Sequence, residues 1–132
     1  MNKRTWLLAS LYAAAGFALA ATPNWQPIGD SVNGNRTFVD QANLKTAGGI
    51  TTVTFRADIK NPLDTPNGAI KSMRATMRVD CRNMTSAGIE VVLFEDEAKN
   101  QVFSRGKAPK IVYGKEPEGS SADLVVKHLC KK

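Results

Sequence analysis

One histidine and two cysteines are all that this 132-residue sequence offers of the side chains that most often hold metals or act as nucleophiles and bases. Aromatic residues make up only 7% of it, and 12 acidic side chains face 18 lysines and arginines. Each shortage excludes something. Cys81, Cys130 and His128 are too few for a tetrahedral zinc site unless carboxylates complete it. Gly48-Gly49 and Gly106 lack the spacing of a phosphate-binding loop and read as turn glycines. A chain of this size buries about two-thirds of its unfolded surface, which is enough for one core but not for a second, cofactor-binding domain. No nucleotide-dependent enzyme and no cofactor are therefore expected. After the first twenty residues no apolar stretch exceeds a few residues, so the remaining chain is expected to be soluble or at most peripheral to a membrane.

Those first twenty residues form a distinct unit. Lys3 and Arg4 make a cationic head, residues 5–17 an apolar run, and Ala18-Leu19-Ala20 a small-x-small cleavage step. The run is shorter than the roughly 20 residues that span a bilayer, so a cleaved export signal over residues 1–20 is predicted, with the mature domain at 21–132. Lipid anchoring would need a cysteine at the cleavage point, where Ala21 stands. The expected location is thus the periplasm or the cell surface, without a lipid anchor. Cleavage also lowers the formal charge of +6 by two. That excess favours anionic partners, though many solvated surfaces carry as much.

Export changes the reading of the cysteines, because in an oxidising compartment an even count favours a bridge. A Cys81–Cys130 disulfide would contribute about 4 kcal/mol in the chain-entropy account. For a domain this small, that is a large share of the whole stability.

Residues 25–28 and 37–39 are short apolar pieces separated by Gly29-Asp30 and Asn33-Gly34-Asn35, a pattern suited to a hairpin. Residues 50–60 alternate cleanly, with Val53, Phe55, Ala57 and Ile59 on one face and Thr52, Thr54, Arg56, Asp58 and Lys60 on the other. Two prolines and an Asn-Gly step in 61–68 predict an exposed loop there, through which no central strand runs. Residues 70–81 are ambiguous. Met73, Ala75, Met77, Val79 and Cys81 alternate as a strand would, yet Ile70, Met73 and Met77, like Lys71, Arg74 and Arg78, also fit helical spacing. The longer alternation favours a strand. Residues 89–95 and 101–104 read as two more, and 111–113 as a further short one.

The period then changes. Pro117-Glu118-Gly119 breaks the chain, Ser120 or Ser121 can cap a helix, and Asp123 follows Ser120 by three as a short capping box. Leu124, Val125, His128 and Leu129 would share one side of a helix of about ten residues, with Val126 and Cys130 on an adjoining side. The fold class is α+β: a small antiparallel sheet of about six strands, a C-terminal helix packed on it, and one disulfide.

Four short patterns occur in a fixed order. They are Trp25 just after the signal, Phe38-Val39-Asp40 ending the second strand, Asp80-Cys81 ending a central one, and Pro117, Ser120 and Cys130 around the helix. Together, over about residues 24–130, the sequence resembles the surface-adhesin protein E family of bacterial exported proteins. The resemblance implies a small antiparallel sheet with a C-terminal helix, a disulfide, a tendency to form homodimers, and binding to host extracellular-matrix or serum proteins rather than catalysis.

Catalytic patterns read on their own terms are weak. His128 falls on the apolar side of the helix, where packing is the plainer role, and Ser120 and Ser121 are accounted for by capping. Glu95-Asp96-Glu97 reads as a solvated acidic turn rather than a calcium site. Asn35-Arg36-Thr37 and Asn83-Met84-Thr85 match glycosylation sequons and are expected to be unmodified. The surface feature with chemical character is basic. If 70–82 is extended, Arg74, Arg78 and Arg82 share its outward face, Arg56 lies on the neighbouring strand, and under the helical alternative Lys71 joins Arg74 and Arg78. Guanidinium groups so arranged bind carboxylates or sulfates in pairs, while the plainer reading is a solvated ladder of Arg–Asp pairs. Nucleic acid is not expected, since the face lacks interleaved aromatics in sequence. Two classes compete: an adhesin-like module for host proteins or acidic glycans, and a periplasmic envelope-associated protein.

Overall fold

The computed structural model describes residues 20–131, so the predicted export signal, but for Ala20, lies outside the described residues. The chain runs β1 (Trp25–Asp30), β2 (Arg36–Asp40), a 3-10 turn (Gln41–Asn43), β3 (Lys45–Ala47), β4 (Ile50–Thr65), β5 (Gly68–Asp80), β6 (Thr85–Asp96), β7 (Gln101–Lys107) and the helix α1 (Ser121–Cys130). Every strand pairing is antiparallel, in the order β1-β2-β4-β5-β6-β7. β3 lies on the same side of β4 as β2, and the 3-10 turn interrupts what is otherwise one strand. Gly48 and Gly49, with φ of 60° and 79°, make the two-residue turn that joins β3 to β4. Both positions need positive φ, which glycine adopts at no steric cost.

The ambiguous stretch is a strand, β5, and its alternation places Ala75, Met77 and Val79 on the face that receives α1. Val53 and Phe55 of β4, Val39 of β2, and Val125 and Val126 of the helix complete that core. The helix is capped by Ser120, whose hydroxyl accepts from the Asp123 N–H at 3.1 Å, while the Asp123 carboxylate accepts from the Gly119 N–H at 2.9 Å. Cys130 bonds Cys81 just beyond β5, with the two Cα atoms 5.2 Å apart. Thr37, fully buried in β2, places its hydroxyl 2.8 Å from that of Ser121 and ties the other end of the helix down.

Three expectations are corrected. Residues 61–68 are exposed but for the half-buried Thr65 and Gly68, yet the β4–β5 hairpin runs through them, with Leu63 opposite Ile70 and Thr65 opposite Gly68. Pro62 is tolerated because β2 pairs no further than Asp58 and the register breaks there, so no ladder bond is lost. Residues 111–113 are not a strand. Only Gly114 bridges back, to Ser86. The buried stripe of α1 is Ala122, Val125, Val126, Leu129 and Cys130, which rotates Leu124 and His128 to its flank. The disulfide sets that rotation, since Cys130 must face β5.

Candidate functional site

The face of the sheet away from α1 carries the polar side of the same alternation. Register sets Arg56 of β4 directly opposite Arg74 of β5, with Phe38 beside Arg56 and Val92 beside Arg74. Two guanidinium groups side by side repel unless something intervenes. Here aromatic rings and one carboxylate do. The Arg56 guanidinium lies 4.6 Å from the Phe38 ring centroid and 5.8 Å from that of Trp25, and Arg74 lies 5.2 Å from Trp25 and 5.4 Å from Phe94. These distances suit attraction between a cation and a π face. Glu97, just past β6, accepts from Arg74 Nε at 3.2 Å and from the Ser72 hydroxyl at 3.2 Å, and approaches Arg56 Nε at 3.4 Å. Arg56 also grips Asp58 through Nε and Nη2.

The cluster borders two open cavities. One, of about 510 Å³, is lined by Trp25, Arg56, Lys71, Arg74 and Glu97 among others. The second, of about 390 Å³, shares Trp25 and Arg74 and continues over Thr54, Thr76 and Arg105. Trp25 and Arg74 therefore form the wall between them. The N-terminal segment reaches this rim: Asn43 Oδ1 accepts from the Ala21 N–H at 2.9 Å, and Asn43 Nδ2 donates to Asp40.

The structure brings Arg56, Arg74 and Lys71 to one cavity and sets the other candidates apart. Arg78 is exposed farther along β5, beside Lys45 and Tyr113, and Arg82 is exposed in the turn after the strand. Among the described residues neither Arg78, Arg82 nor Lys71 is in an ion pair. Sequence reading missed four partners, one carboxylate and three aromatic rings. Glu97 was assigned to a solvated acidic turn, but only 15% of its side chain is exposed. Trp25, Phe38 and Phe94 interleave with the arginines from strands distant in sequence, so the absence of aromatics holds along β5 but not across the face. The twofold alternation of 92 and 94 with Arg74's register was the signal available, and it required the pairing to be known.

Elsewhere, His128 sits with Nε2 3.3 Å from the Gln41 side-chain amide; burial, and then Lys131, hold its pKa below the ordinary histidine value. Burial pushes the Asp123 carboxyl up, but the Gly119 N–H and Lys127 outweigh it and leave its pKa below the usual range. No group of three or more metal-binding side chains occurs among the described residues. What the arrangement offers chemically is a rigid pair of cations with spare N–H donors beside an aromatic wall.

A model of the surface-adhesin protein E family matches residues 25–131. Solved structures of Haemophilus influenzae protein E share the fold. One has a TM-score of 0.55 at 10% identity and covers 86% of this chain and 89% of that one. A second crystal form has a TM-score of 0.54 at 12% identity, covering 87% of this chain and 100% of that one. Protein E from a non-typeable strain has a TM-score of 0.54 at 11% identity, with coverages of 85% and 82%. No curated protein sequence matches the chain.

Proposed function

The chain belongs to the surface-adhesin protein E family, and we propose that it is an exported, non-enzymatic binding protein that recognises acidic segments of host matrix or serum proteins, or acidic glycans, through the sheet face opposite its helix. The observation that carries this reading is the Arg56–Arg74 pair, fixed side by side by register and buttressed by three aromatic rings at an open cavity. Positioned guanidinium groups lose little freedom when they take a carboxylate or sulfate, and their planar forks match such groups two bonds at a time. Lys71 at the rim of that cavity, with Arg78 and Arg82 farther along, extends the attraction beyond the paired centre.

Glu97 favours the second reading, a periplasmic protein with an envelope partner, because together with Asp58 it already neutralises the two arginines from within. A test must therefore leave that ion cluster intact. Replacing Lys71 and Arg78 together with Glu alters only exposed cations outside any ion pair among the described residues. Heparin-column retention and binding to immobilised matrix proteins should fall in the variant. Binding by the parent should also weaken as salt rises and the Debye length shrinks to about 8 Å. Unchanged retention overturns the reading. Protease treatment of intact cells, compared with fractionated periplasm, then separates surface display from envelope association.

A further inference from the structure

Residues 106–115 (GKAPKIVYGK) carry three lysines and no acidic side chain, with Ile111, Val112 and Tyr113 consecutive between Lys110 and Lys115. In the structure β7 ends at Lys107, and Ile111, Val112 and Tyr113 neither extend it nor pack into the core. Ile111 is 40% exposed, Val112 70% and Tyr113 39%, a cluster of apolar side chains on one loop. Isolated exposed apolar residues are ordinary, but three in sequence on a projecting loop mark a contact surface.

This projection is built. The Ala108 N–H donates to the Ile89 carbonyl at 2.9 Å, and Gly114 and Ser86 exchange two backbone bonds, each of 2.9 Å. Both ends are thus pinned to β6, and residues 109–113 span the gap between the anchors with no backbone hydrogen bond to it. Beside this span lies an open depression of about 480 Å³, whose apolar lining includes Ile89, Val91 and Val112, with Lys107 and Lys110 at its margin. Tyr113 lines a different depression, with Lys45 and Arg78. No ion pair among the described residues engages Lys45, Arg78, Lys107, Lys110 or Lys115.

We infer that this loop is a peripheral docking element for an anionic phospholipid bilayer. The apolar tip enters the interface and the surrounding lysines meet the headgroups. Charge complementarity selects this occupant: Lys107, Lys110 and Lys115 flank the apolar tip outside any ion pair among the described residues, while the neighbouring carboxylates are engaged, Glu90 with Arg105 and Glu116 with the Ser86 hydroxyl, and such a surface matches one that is apolar within and negative at its rim. Tyrosine suits the boundary, with its ring on the apolar side and its hydroxyl in water. Lysine stems lie along apolar surface while their ammonium groups reach the headgroups. The site is separate from the Arg56–Arg74 cavity, so it stands or falls independently of the binding role proposed above.

The test is sedimentation of the purified exported protein with vesicles of phosphatidylcholine alone and of phosphatidylcholine mixed with phosphatidylglycerol. The parent should partition onto the phosphatidylglycerol vesicles and be released by salt. Ile111→Asp with Val112→Asp should reduce partitioning at least about tenfold, as should Lys107→Gln, Lys110→Gln and Lys115→Gln combined. Both variants alter exposed side chains, and an unchanged melting temperature shows that they fold. Lys71→Glu alone, at the Arg56–Arg74 cavity, should leave most of the partitioning in place. The inference is overturned if the parent ignores the anionic vesicles, or if the Ile111/Val112 variant binds them as the parent does. It is equally overturned if that variant instead converts a dimer to a monomer, which makes the loop a contact between copies of the chain.

Discussion

Along one side of β4, Val53, Phe55 and Ala57 are between 0 and 4% exposed, whereas Thr54 and Arg56, one residue apart from them, remain half-buried on the other. The same strand faces two kinds of cover. On the first side α1 lays Val125 and Val126 over an apolar surface, and the Cys81–Cys130 bond fastens the layers together. On the second, no secondary-structure element among the described residues covers the sheet. Trp25, Phe38 and Phe94 stack on Arg56 and Arg74, and Glu97 closes the cluster. Dry packing is non-directional and scales with buried area, so the helix side should hold most of the stability. The ionic side lies in a wetter environment, where each pair contributes less but its donors stay accessible to a ligand.

The sharpest way to break that comparison is Phe55→Ala. The ring is 4% exposed within the core, so its removal should cost about 3–5 kcal/mol in denaturant unfolding. A loss below about 1 kcal/mol would mean that the helix side yields easily and that the stability lies elsewhere. Cys130→Ser comes next. It opens a separation of 49 residues and should cost about 2–4 kcal/mol, with hydrogen exchange rising first in α1. If exchange rose instead across β6 and β7, the disulfide would be stabilising the sheet rather than its helical cover.

How much of each side was legible in the sequence follows the same division. The helix side announces itself locally: alternation in 50–60 and 73–81, a cap at Ser120, and two cysteines in a chain read as exported were enough to give β4 as far as residue 60, to favour a strand at β5, and to give α1 and the bridge. The rotation of α1 was misread because Leu124 and His128 are apolar enough to share a stripe, and only the bond at Cys130 decides between neighbouring faces. The other side was legible only in part. Arg56, Arg74 and Lys71 were visible as cations in alternating or helical register, but Trp25, Phe38, Phe94 and Glu97 meet them across four separate strands or turns. Such a cluster is a product of pairing order, which no local period encodes. β3 escaped notice for a related reason: three residues paired to β4 carry too short a pattern to stand out.

Glu97→Gln tests the ionic side with an effect of opposite sign in its two readouts. Removing the charge leaves Arg56 with Asp58 and frees Arg74, at a cost of about 1–2 kcal/mol given the partial exposure of the pairs. Anion affinity should rise, because the internal competitor for the guanidinium donors is gone. Heparin retention at higher salt than the parent, alongside a slightly lower melting temperature, is the expected pair of results. If retention fell with stability, Glu97 would be shaping the site rather than occupying it.

The smallest expected effect lies at the margin between the two kinds of surface, where His128 leaves the buried stripe of α1 and meets Gln41. Burial and then Lys131 both disfavour its charged form, so the folded protein binds the proton less readily than the unfolded chain. The sign follows from linkage. The stabilisation of neutral His128 is fully present above the ordinary histidine pKa and is lost as pH falls through the lower value of the folded state. Protonation would also give Nε2 a hydrogen that faces the Gln41 side-chain nitrogen, 3.3 Å away, in place of an acceptor. Stability measured from about pH 7 to about pH 5, above most carboxylate titration, should therefore decline slightly, and His128→Gln should flatten the decline. Curves that coincide for the two proteins would place His128 in solvent. The dry packing of α1 would then end at Leu129 and Cys130, and the helix would be held along a narrower stripe than its contacts with the sheet indicate.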